Sequence, residues 1–305
     1  MRNRKTYILV AVLVIAAVAM VALAAGCGSS SDSGGGSSTA PSASASSGGG
    51  ELTGTAAERA AQILGHEPTG LAKTIIDRGT VIVSTDANYA PQSSIDQATG
   101  DLVGFDVDVA KAMAETLGLT LESKTVDWAT VIPGLQTEKW DVSIGSMTIT
   151  PEREKAVSFT VPYYYTSGQV FVKKGGPQIT AASDLDGKKV GVGAATTYYE
   201  YLKENTKAIV KTYPTDADAF PDLRNGNLDF VMTAGPTGQQ AILEGQPFDF
   251  SGAPLYYEDL AFAVKLGEGD WVALLNYAVE KMHTDGTLTE LSKKWYNGLD
   301  LTVKE

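Results

Sequence analysis

From residue 79 onward, the spacing of apolar residues alternates between that of a strand and that of a helix. "GTVIVSTD" (79–86) is a short apolar run typical of a buried strand, whereas "LVGFDVDVAKAMAETLGL" (102–119) has helical spacing, with Asp106 as its expected cap and Gly118 as its expected end. Strand "LTLES", helix "WATVIPGLQTEKW" and strand "DVSIGSM" follow. This alternation predicts parallel βαβ units, in which ligands bind at the carboxyl ends of strands.

A second series of strands and helices begins at residue 188. "KKVGVG" (188–193) and "LDFVMT" (228–233) are predicted strands, and "YYEYLKEN" starts a helix after a hydroxyl-rich loop at 195–198. A globular part of roughly 235 residues is long enough for two lobes. We therefore expect an α/β protein with two lobes and a cleft between them.

"SMTITPER", residues 146–153, follows one of these predicted strands. Thr150 is a good N-cap and Pro151 suits the first helical position, so the segment is predicted to contain a strand end, a loop and a helix start. Hydroxyl groups, free N–H groups and the Arg153 guanidinium would together suit a carboxylate. The alternative is that Thr150 only caps a helix and Arg153 lies on its solvated face.

The N-terminal quarter differs in composition from the rest of the chain. "MRNRK" is basic, the apolar run Tyr7 to Ala25 follows, and "LAAGC" ends at Cys27, the only cysteine. Residues 1–26 are predicted to be a signal peptide, with an uncleaved membrane anchor as the alternative. "LAAGC" resembles a bacterial lipobox, although Ala24 stands where leucine is usual, and this resemblance implies a lipid on Cys27. The Gly/Ser-rich continuation predicts a flexible tether over 27–68.

The charge of the chain excludes some partners. Loss of the signal peptide would lower the count of basic residues from 24 to 21 against 36 acidic ones, changing the formal net charge from −12 to −15. Such a surface repels nucleic acid and anionic lipid. We expect no nucleic-acid partner, no internal disulfide and a monomer.

Five segments of the chain resemble one known family. They are "STDANYAP", "GFDVDVAKAMAETLG", "VDWATVIPGLQTEKWDVSIGSMTITPEREKAVSFTVPYY", "DLDGKKVGVG" and "DGTLTELSKKW", and they extend from about residue 71 to 295. They resemble the extracytoplasmic solute-binding proteins of ABC importers for polar amino acids, bacterial solute-binding protein family 3. The fold of that family is also found in the ligand domains of ionotropic glutamate receptors.

The resemblance implies a bilobed periplasmic-binding-protein-like fold. Lobe 1 would comprise 69–165 and 256–305, lobe 2 would comprise 166–255, and a two-stranded hinge would join them. It also implies capture of a small carboxylate-bearing solute without a cofactor or metal, and delivery to an ABC permease in the membrane. The protein would be exported, either lipid-anchored on the outer face of the cytoplasmic membrane or periplasmic.

By resemblance, the ligand's carboxylate and amine lie near the strand ends of both lobes. Arg153 would bind the carboxylate with two parallel bonds. Thr148 and the carbonyl of Ser146 would lie near the amine. Thr196 and Thr197 would close on the carboxylate from the other lobe.

The ligand side chain would lie between aromatic residues, by the same resemblance. Tyr89 and Trp128 would sandwich it, and Asp86 would face a polar or cationic group at its far end. The alternatives are that the two aromatic residues belong to the core and that Asp86 caps a turn. For Tyr198, contact with the ligand and no contact are equally open.

The chain departs from the family at residue 234. The family usually has a carboxylate there, after "LDFVMT", for the ligand's α-ammonium group, but this chain has Ala234, and Asp229 does not replace it. We therefore expect a carboxylate-bearing ligand whose nitrogen is substituted, delocalised or distal. Betaine-like and ectoine-like solutes, opines and basic amino acids fit this description.

Two other classes of function remain as alternatives. A cyclohexadienyl dehydratase-like enzyme would need a general acid or base near the substrate. His66 precedes the predicted domain, His283 lies on a C-terminal helix, and the predicted fold contains no cysteine. We therefore expect no enzymatic activity. A ligand-sensing receptor subunit is the other alternative, and it would need another chain to transmit a signal.

Overall fold

The structure is a computed structural model that describes residues 52–304. The predicted signal peptide, Cys27 and the first part of the tether lie outside the described residues. Within the described range, no helix has the length and apolarity needed to cross a bilayer.

The described chain alternates strands and helices, as the spacing of apolar residues predicts. The strands are β1 (Thr80–Thr85), β2 (Asn88–Tyr89), β3 (Ser93–Ile95), β4 (Leu102–Val103), β5 (Thr120–Thr125), β6 (Val142–Thr148), β7 (Val157–Phe159), β8 (Tyr164–Lys173), β9 (Lys189–Gly193), β10 (Ile209–Tyr213), β11 (Phe230–Ala234), β12 (Phe248–Phe250) and β13 (Tyr256–Lys265). The helices are α1 (Ala56–Leu64), α2 (Gly70–Arg78), α3 (Phe105–Leu117), α4 (Val131–Gln136), α5 (Thr197–Asn205), α6 (Phe220–Asn225), α7 (Gly235–Leu243), α8 (Gly269–Thr284) and α9 (Thr287–Trp295).

Two long antiparallel strands connect two halves of one sheet. The strand order is β10-β9-β11-β8-β13-β6-β1-β5, with β12 beside β8 and β7 beside β13. In one half β1 is parallel to β5 and β6, and in the other β9 is parallel to β10 and β11. The sequence-predicted lobe boundaries fall within β8 and at the start of β13. These boundaries stay a prediction.

Each half has its own apolar core. In the half that contains β1, helices α3, α8 and α9 pack together around fully buried Phe105, Met113 and Trp271. In the other half, Val190 and Met232 pack against Leu202 of α5. These two cores hold the strand ends of the two halves on opposite sides of a cleft.

The predicted tether is too long at its C-terminal end. Residues 56–64 form helix α1, which begins at a capping box made by Thr55 and Glu58. Ala60 is buried, and Arg59 donates hydrogen bonds of 2.9 Å and 3.0 Å to the carbonyls of Glu115 and Thr116. A flexible segment would not make these contacts, so the packed part of the chain begins before residue 69.

Two predicted helix starts need correction. Helix α3 begins after Gly104, whose φ of 139° is not helical, and Asp106 lies inside its first turn rather than at a cap. Residue 104 must be glycine, since a Cβ atom there would lie only 2.2 Å from a main-chain oxygen of Gln92. Gly118 ends α3 in the left-handed conformation, as predicted. The helix predicted after Thr150 is a single 3-10 turn, Arg153–Lys155, whose first N–H donates to the Thr150 hydroxyl.

Candidate ligand-binding site

One cavity contains every ligand-binding residue predicted from the sequence. Its walls enclose about 490 Å³, including the open mouth. The predicted residues that line it are Asp86, Tyr89, Trp128, Ser146, Thr148, Arg153, Thr196, Thr197 and Tyr198. They lie at or after the carboxyl ends of β1, β5 and β6 on one side and of β9 on the other, where ligands bind in such sheets. The structure therefore brings these residues together, while their roles toward a ligand stay predictions.

Arg153 is the basic residue among the described residues that line the cavity. Its Nη1 donates a 3.0 Å hydrogen bond to the carbonyl of Thr148, and its Cζ lies 5.2 Å from the centroid of the Trp128 ring. Burial lowers the pKa of Arg153, and the nearby carboxylate of Glu258 acts in the opposite direction. The bond to Thr148 uses one of five guanidinium N–H donors, so a fork remains that suits a carboxylate.

The N-terminus of helix α5 faces Arg153 across the cavity. Thr196 is the N-cap: its hydroxyl accepts from the N–H of Tyr199 at 3.2 Å and donates to the carbonyl of Gly193 at 2.9 Å. Its side chain is therefore engaged in capping. The first N–H groups of a helix have no intrahelical partner and favour an anion. A carboxylate bound between them could therefore accept hydrogen bonds from the main-chain N–H groups of α5 and from the Arg153 guanidinium.

The aromatic residues connect the two sides of the cavity. Trp128 Nε1 donates a 3.0 Å hydrogen bond to the carbonyl of Ala195, and the hydroxyls of Tyr89 and Tyr198 are 3.4 Å apart. Trp128 and Tyr89 are only partly buried. Their rings therefore line the cavity, while the hydrogen bonds of their polar atoms link its two sides.

Asp86 lies at the mouth of the cavity, beside other carboxylates. It accepts a 2.8 Å hydrogen bond from the N–H of Asn88, so it does hold the turn that follows β1. Burial raises the pKa of Asp86, and the charges of Asp127 and Asp218 act in the same direction. A cation bound here would relieve this unfavourable interaction.

A buried polar network holds Ser146 in the left-handed conformation, with φ of 56°. The Ser146 hydroxyl donates to Asp106 at 2.8 Å and accepts from Tyr164 at 2.7 Å, while its N–H donates to Tyr163 at 3.0 Å. Tyr163 also donates to Asp106 at 2.6 Å. Burial raises the pKa of Asp106 to about 7, although the two hydrogen bonds to it act in the opposite direction. The network fixes the main-chain conformation of Ser146, near the end of β6, where this strand lines the cavity.

Sequence reasoning missed two buried carboxylates near the cavity. Asp216 lines it and accepts hydrogen bonds from the N–H of Gly193 and from Thr233, and burial raises the pKa of Asp216 to about 7. Glu258 on β13 is 2% exposed and accepts hydrogen bonds from Thr148 and Thr197. The sequence does carry a signal for Glu258, because it stands two residues before Leu260 and therefore shares the buried face of the strand.

The structure explains what occupies the space beside Ala234. Ala234 is fully buried and pairs with Gly168, which in turn pairs with Tyr256 on β13. A Cβ atom at Gly168 would lie 2.3 Å from the Tyr256 ring, so this ring lies over the glycine. Tyr256 packs against the apolar cluster that contains Ala234, so Ala234 belongs to a core rather than to the lining of the cavity.

Two α/β halves, connected by two strands and enclosing a polar cavity, define the class of bilobed solute-binding proteins. Residues 81–298 match the model of the bacterial extracellular solute-binding proteins, family 3, and the chain belongs to this family. The fold is the bilobed α/β fold of these proteins, and membership places the protein outside the cytoplasm.

The chain is similar to proteins named for the amino acids they bind. It is 34% identical to the L-cystine-binding protein of Escherichia coli K12, over 76% of this chain and 88% of that protein. It is also 34% identical to a putative ABC transporter arginine-binding protein of that organism, over 71% of this chain and 90% of that protein. An ancestral arginine-binding protein bound to arginine superposes with a TM-score of 0.68 at 36% identity, over 72% of this chain and 99% of that structure. Like these relatives, the chain is a binding protein and not an enzyme.

Proposed function

We propose that the protein captures an amino acid whose side chain ends in a cation and delivers it to an ABC permease. The observation that carries this proposal is that opposite charges, those of Arg153 and Asp86, line one cavity. Arg153 binds the ligand's carboxylate with two parallel bonds, and Asp86 binds the distal cation. The aromatic faces of Tyr89 and Trp128 enclose the apolar stem between them.

The charges around the cavity favour a cationic ligand over an acidic one. Among the described residues that line it, Asp86 and Asp216 are acidic and Arg153 is basic, and Glu258 lies directly behind two of its threonines. The formal charge of this set is −2, so a ligand with one carboxylate and two cationic groups reduces the excess negative charge, whereas an acidic ligand would increase it. The similarity to proteins named for arginine supports the same class of ligand.

Capture requires closure of the two lobes, 69–165 with 256–305 and 166–255, about β8 and β13. Contacts between the two sides include Trp128 with Ala195 and a 3.0 Å hydrogen bond from Asn88 to Thr215. A ligand shifts the protein toward the closed form only through contacts that exist in that form alone. The carboxylate, bound by Arg153 on one side and by helix α5 on the other, is such a contact. The permease then recognises the closed form.

A thermal-shift panel tests this proposal. L-arginine, L-lysine, L-ornithine and L-histidine are compared with L-cystine, L-glutamine, betaine and ectoine. We expect the basic amino acids to raise the melting temperature most, because a ligand that binds only the folded state stabilises it by RT ln(1 + [L]/Kd), which is larger for the tighter ligand. A shift produced by L-cystine alone, or by betaine and ectoine alone, would contradict the proposal.

Replacing Asp86 with asparagine should weaken binding of basic amino acids selectively. Loss of one charged hydrogen-bonding partner at a partly buried site costs about 1 to 2 kcal/mol, or roughly 5- to 30-fold in affinity. Asp127→Asn is the matched control, since Asp127 is an exposed acid at the same mouth. Calorimetry should record the loss for L-arginine only in the Asp86 variant. An equal loss in both variants would mean that the summed negative charge at the mouth attracts the ligand, and that Asp86 makes no direct contact with it.

Membrane attachment through Cys27 is part of the same proposal. We expect Cys27→Ala to release the protein from membranes or to block removal of the signal peptide, because the only thiol of the chain is lost. Cell fractionation with mass determination of the mature N-terminus measures both effects, and Ser29→Ala is the matched control. Retention of the Cys27 variant on membranes with a correctly processed N-terminus would contradict lipid anchoring.

A further inference from the structure

Two threonines of the cavity direct their hydroxyl protons away from it. Thr148 donates a 2.8 Å hydrogen bond to Glu258 Oε1, and Thr197 donates to the same oxygen. A hydroxyl group has one proton and two lone pairs, so a threonine that donates to Glu258 can only accept from a ligand. Since both threonines line the cavity, they present acceptors to it.

Glu258 lies behind these threonines, where the two halves of the sheet join. It is 2% exposed, and its second oxygen, Oε2, has no hydrogen-bond partner among the described residues. Burial raises the pKa of Glu258, while hydrogen bonds from hydroxyl groups and the charge of Arg153 act in the opposite direction. One guanidinium cannot balance both Glu258 and a ligand carboxylate. A buried charge without full compensation is costly, so the filled site needs a further positive charge nearby.

Residue 234 cannot provide the negative charge for a ligand's α-ammonium group. Ala234 carries no polar side-chain atom, is buried, and belongs to an apolar cluster against which Tyr256 packs. Tyr256 and Glu258 are two residues apart on β13 and therefore share one face of the strand. One strand thus packs Tyr256 against the cluster that contains Ala234 and places a carboxylate behind the two threonines.

We propose that Glu258 is the specificity-determining residue for the α-amine, acting through Thr148 and Thr197. The ligand's ammonium group donates to the threonine oxygens, whose protons Glu258 holds, and the charge of Glu258 balances the ammonium charge. This inference rests on the proposed capture of a basic amino acid. It adds that the ligand keeps a free α-amine, although residue 234 has no acid.

The geometry disfavours a carboxylate at this position. A ligand oxygen there would face the lone pairs of two hydroxyl groups, with a carboxylate directly behind them. Such an arrangement of like charges and unmatched acceptors is unfavourable in a partly buried site. The ligand's carboxylate therefore lies toward Arg153 and the N-terminus of α5, and its ammonium group lies toward Thr148.

Calorimetric titration with two probes tests the role of Glu258. The probes are L-arginine and δ-guanidinovalerate, which lacks only the α-amine. We expect the wild-type protein to prefer L-arginine by about 100-fold, and Glu258→Gln to reduce that preference to below about 5-fold by weakening arginine alone. Asp259→Asn is the matched control, because Asp259 is the next residue on the strand and pairs with Lys304 instead. It should keep the wild-type preference.

Each outcome distinguishes this inference from the proposed function. A wild-type protein that binds both probes equally overturns the role of Glu258 but leaves capture of a cationic solute intact. A Glu258→Gln variant that weakens both probes by the same factor reveals a purely structural role and also overturns the inference. If that variant does not fold, Thr148→Val must remove the preference for the amine in its place. Failure of the wild-type protein to bind either probe contradicts the proposed function, and the inference falls with it.

Discussion

Replacement of Arg153 by alanine should lower affinity for the amino acid ligand by about 3 to 5 kcal/mol, which is more than 100-fold. The guanidinium lies in the cavity between the Trp128 ring and the carbonyl of Thr148. Without it, a ligand carboxylate would lose its charged partner and still face Glu258. The cost therefore contains both the lost bonds and an uncompensated negative charge.

Calorimetry with L-arginine measures this loss, and urea unfolding without ligand shows whether folding is affected. Lys155→Ala is the matched control, since Lys155 lies in the same 3-10 turn, is exposed and pairs with Glu152. The control should bind like the wild-type protein. Affinity within about 5-fold of wild type in the Arg153 variant would mean that Arg153 lies at the cavity without binding the carboxylate.

Ionisation of Asp106 should make the fold less stable as pH rises. Burial raises the pKa of Asp106 from 3.8 to about 7, so the folded state holds its proton more tightly than the unfolded state. The resulting stability is fully present below pH 3.8 and is lost as pH rises through about 7. Between about pH 4 and pH 8 this contribution amounts to about 3 to 4 kcal/mol.

Urea unfolding of wild-type protein and of Asp106→Asn across this pH range isolates the effect. Other groups titrate equally in both proteins, so the difference in their free energies of unfolding reports Asp106. We expect that difference to shift against the wild-type protein as pH rises. Tyr163→Phe, which removes the donor 2.6 Å from Asp106, should destabilise the ionised form further. A difference that does not change with pH would show that Asp106 has an ordinary pKa.

The cavity residues were accessible to sequence reasoning because they follow strand ends. Asp86 comes directly after β1, Arg153 follows β6 by five residues, and Thr196 follows β9 by three. Parallel strands bring their carboxyl ends together, so the alternation of strands and helices was enough to predict that these loops meet. Resemblance to the family then supplied a role for each side chain, which the alternation alone could not.

Buried polar residues in the middle of elements were harder to predict. Asp106 lies between two apolar residues in the sequence, and Glu258 stands beside a second acid, Asp259. The role of each depends on a hydrogen-bond partner 40 or 110 residues away in the chain. No local pattern contains such pairings. Helix α1 was missed for a different reason: the Gly/Ser-rich composition before it suggested one long tether, although Thr55 and Glu58 form a recognisable capping box.

Calorimetric titration of the wild-type protein with L-arginine and L-citrulline tests the proposed capture most directly. The two amino acids have nearly the same shape, but citrulline carries an uncharged urea group where arginine carries the guanidinium. Because Arg153 and Asp86 line the same cavity, we predict one site with micromolar or tighter affinity for L-arginine and at least about 30-fold weaker binding of L-citrulline. Equal affinity for the two, or no binding of L-arginine, would contradict the assignment of the cavity to a basic amino acid.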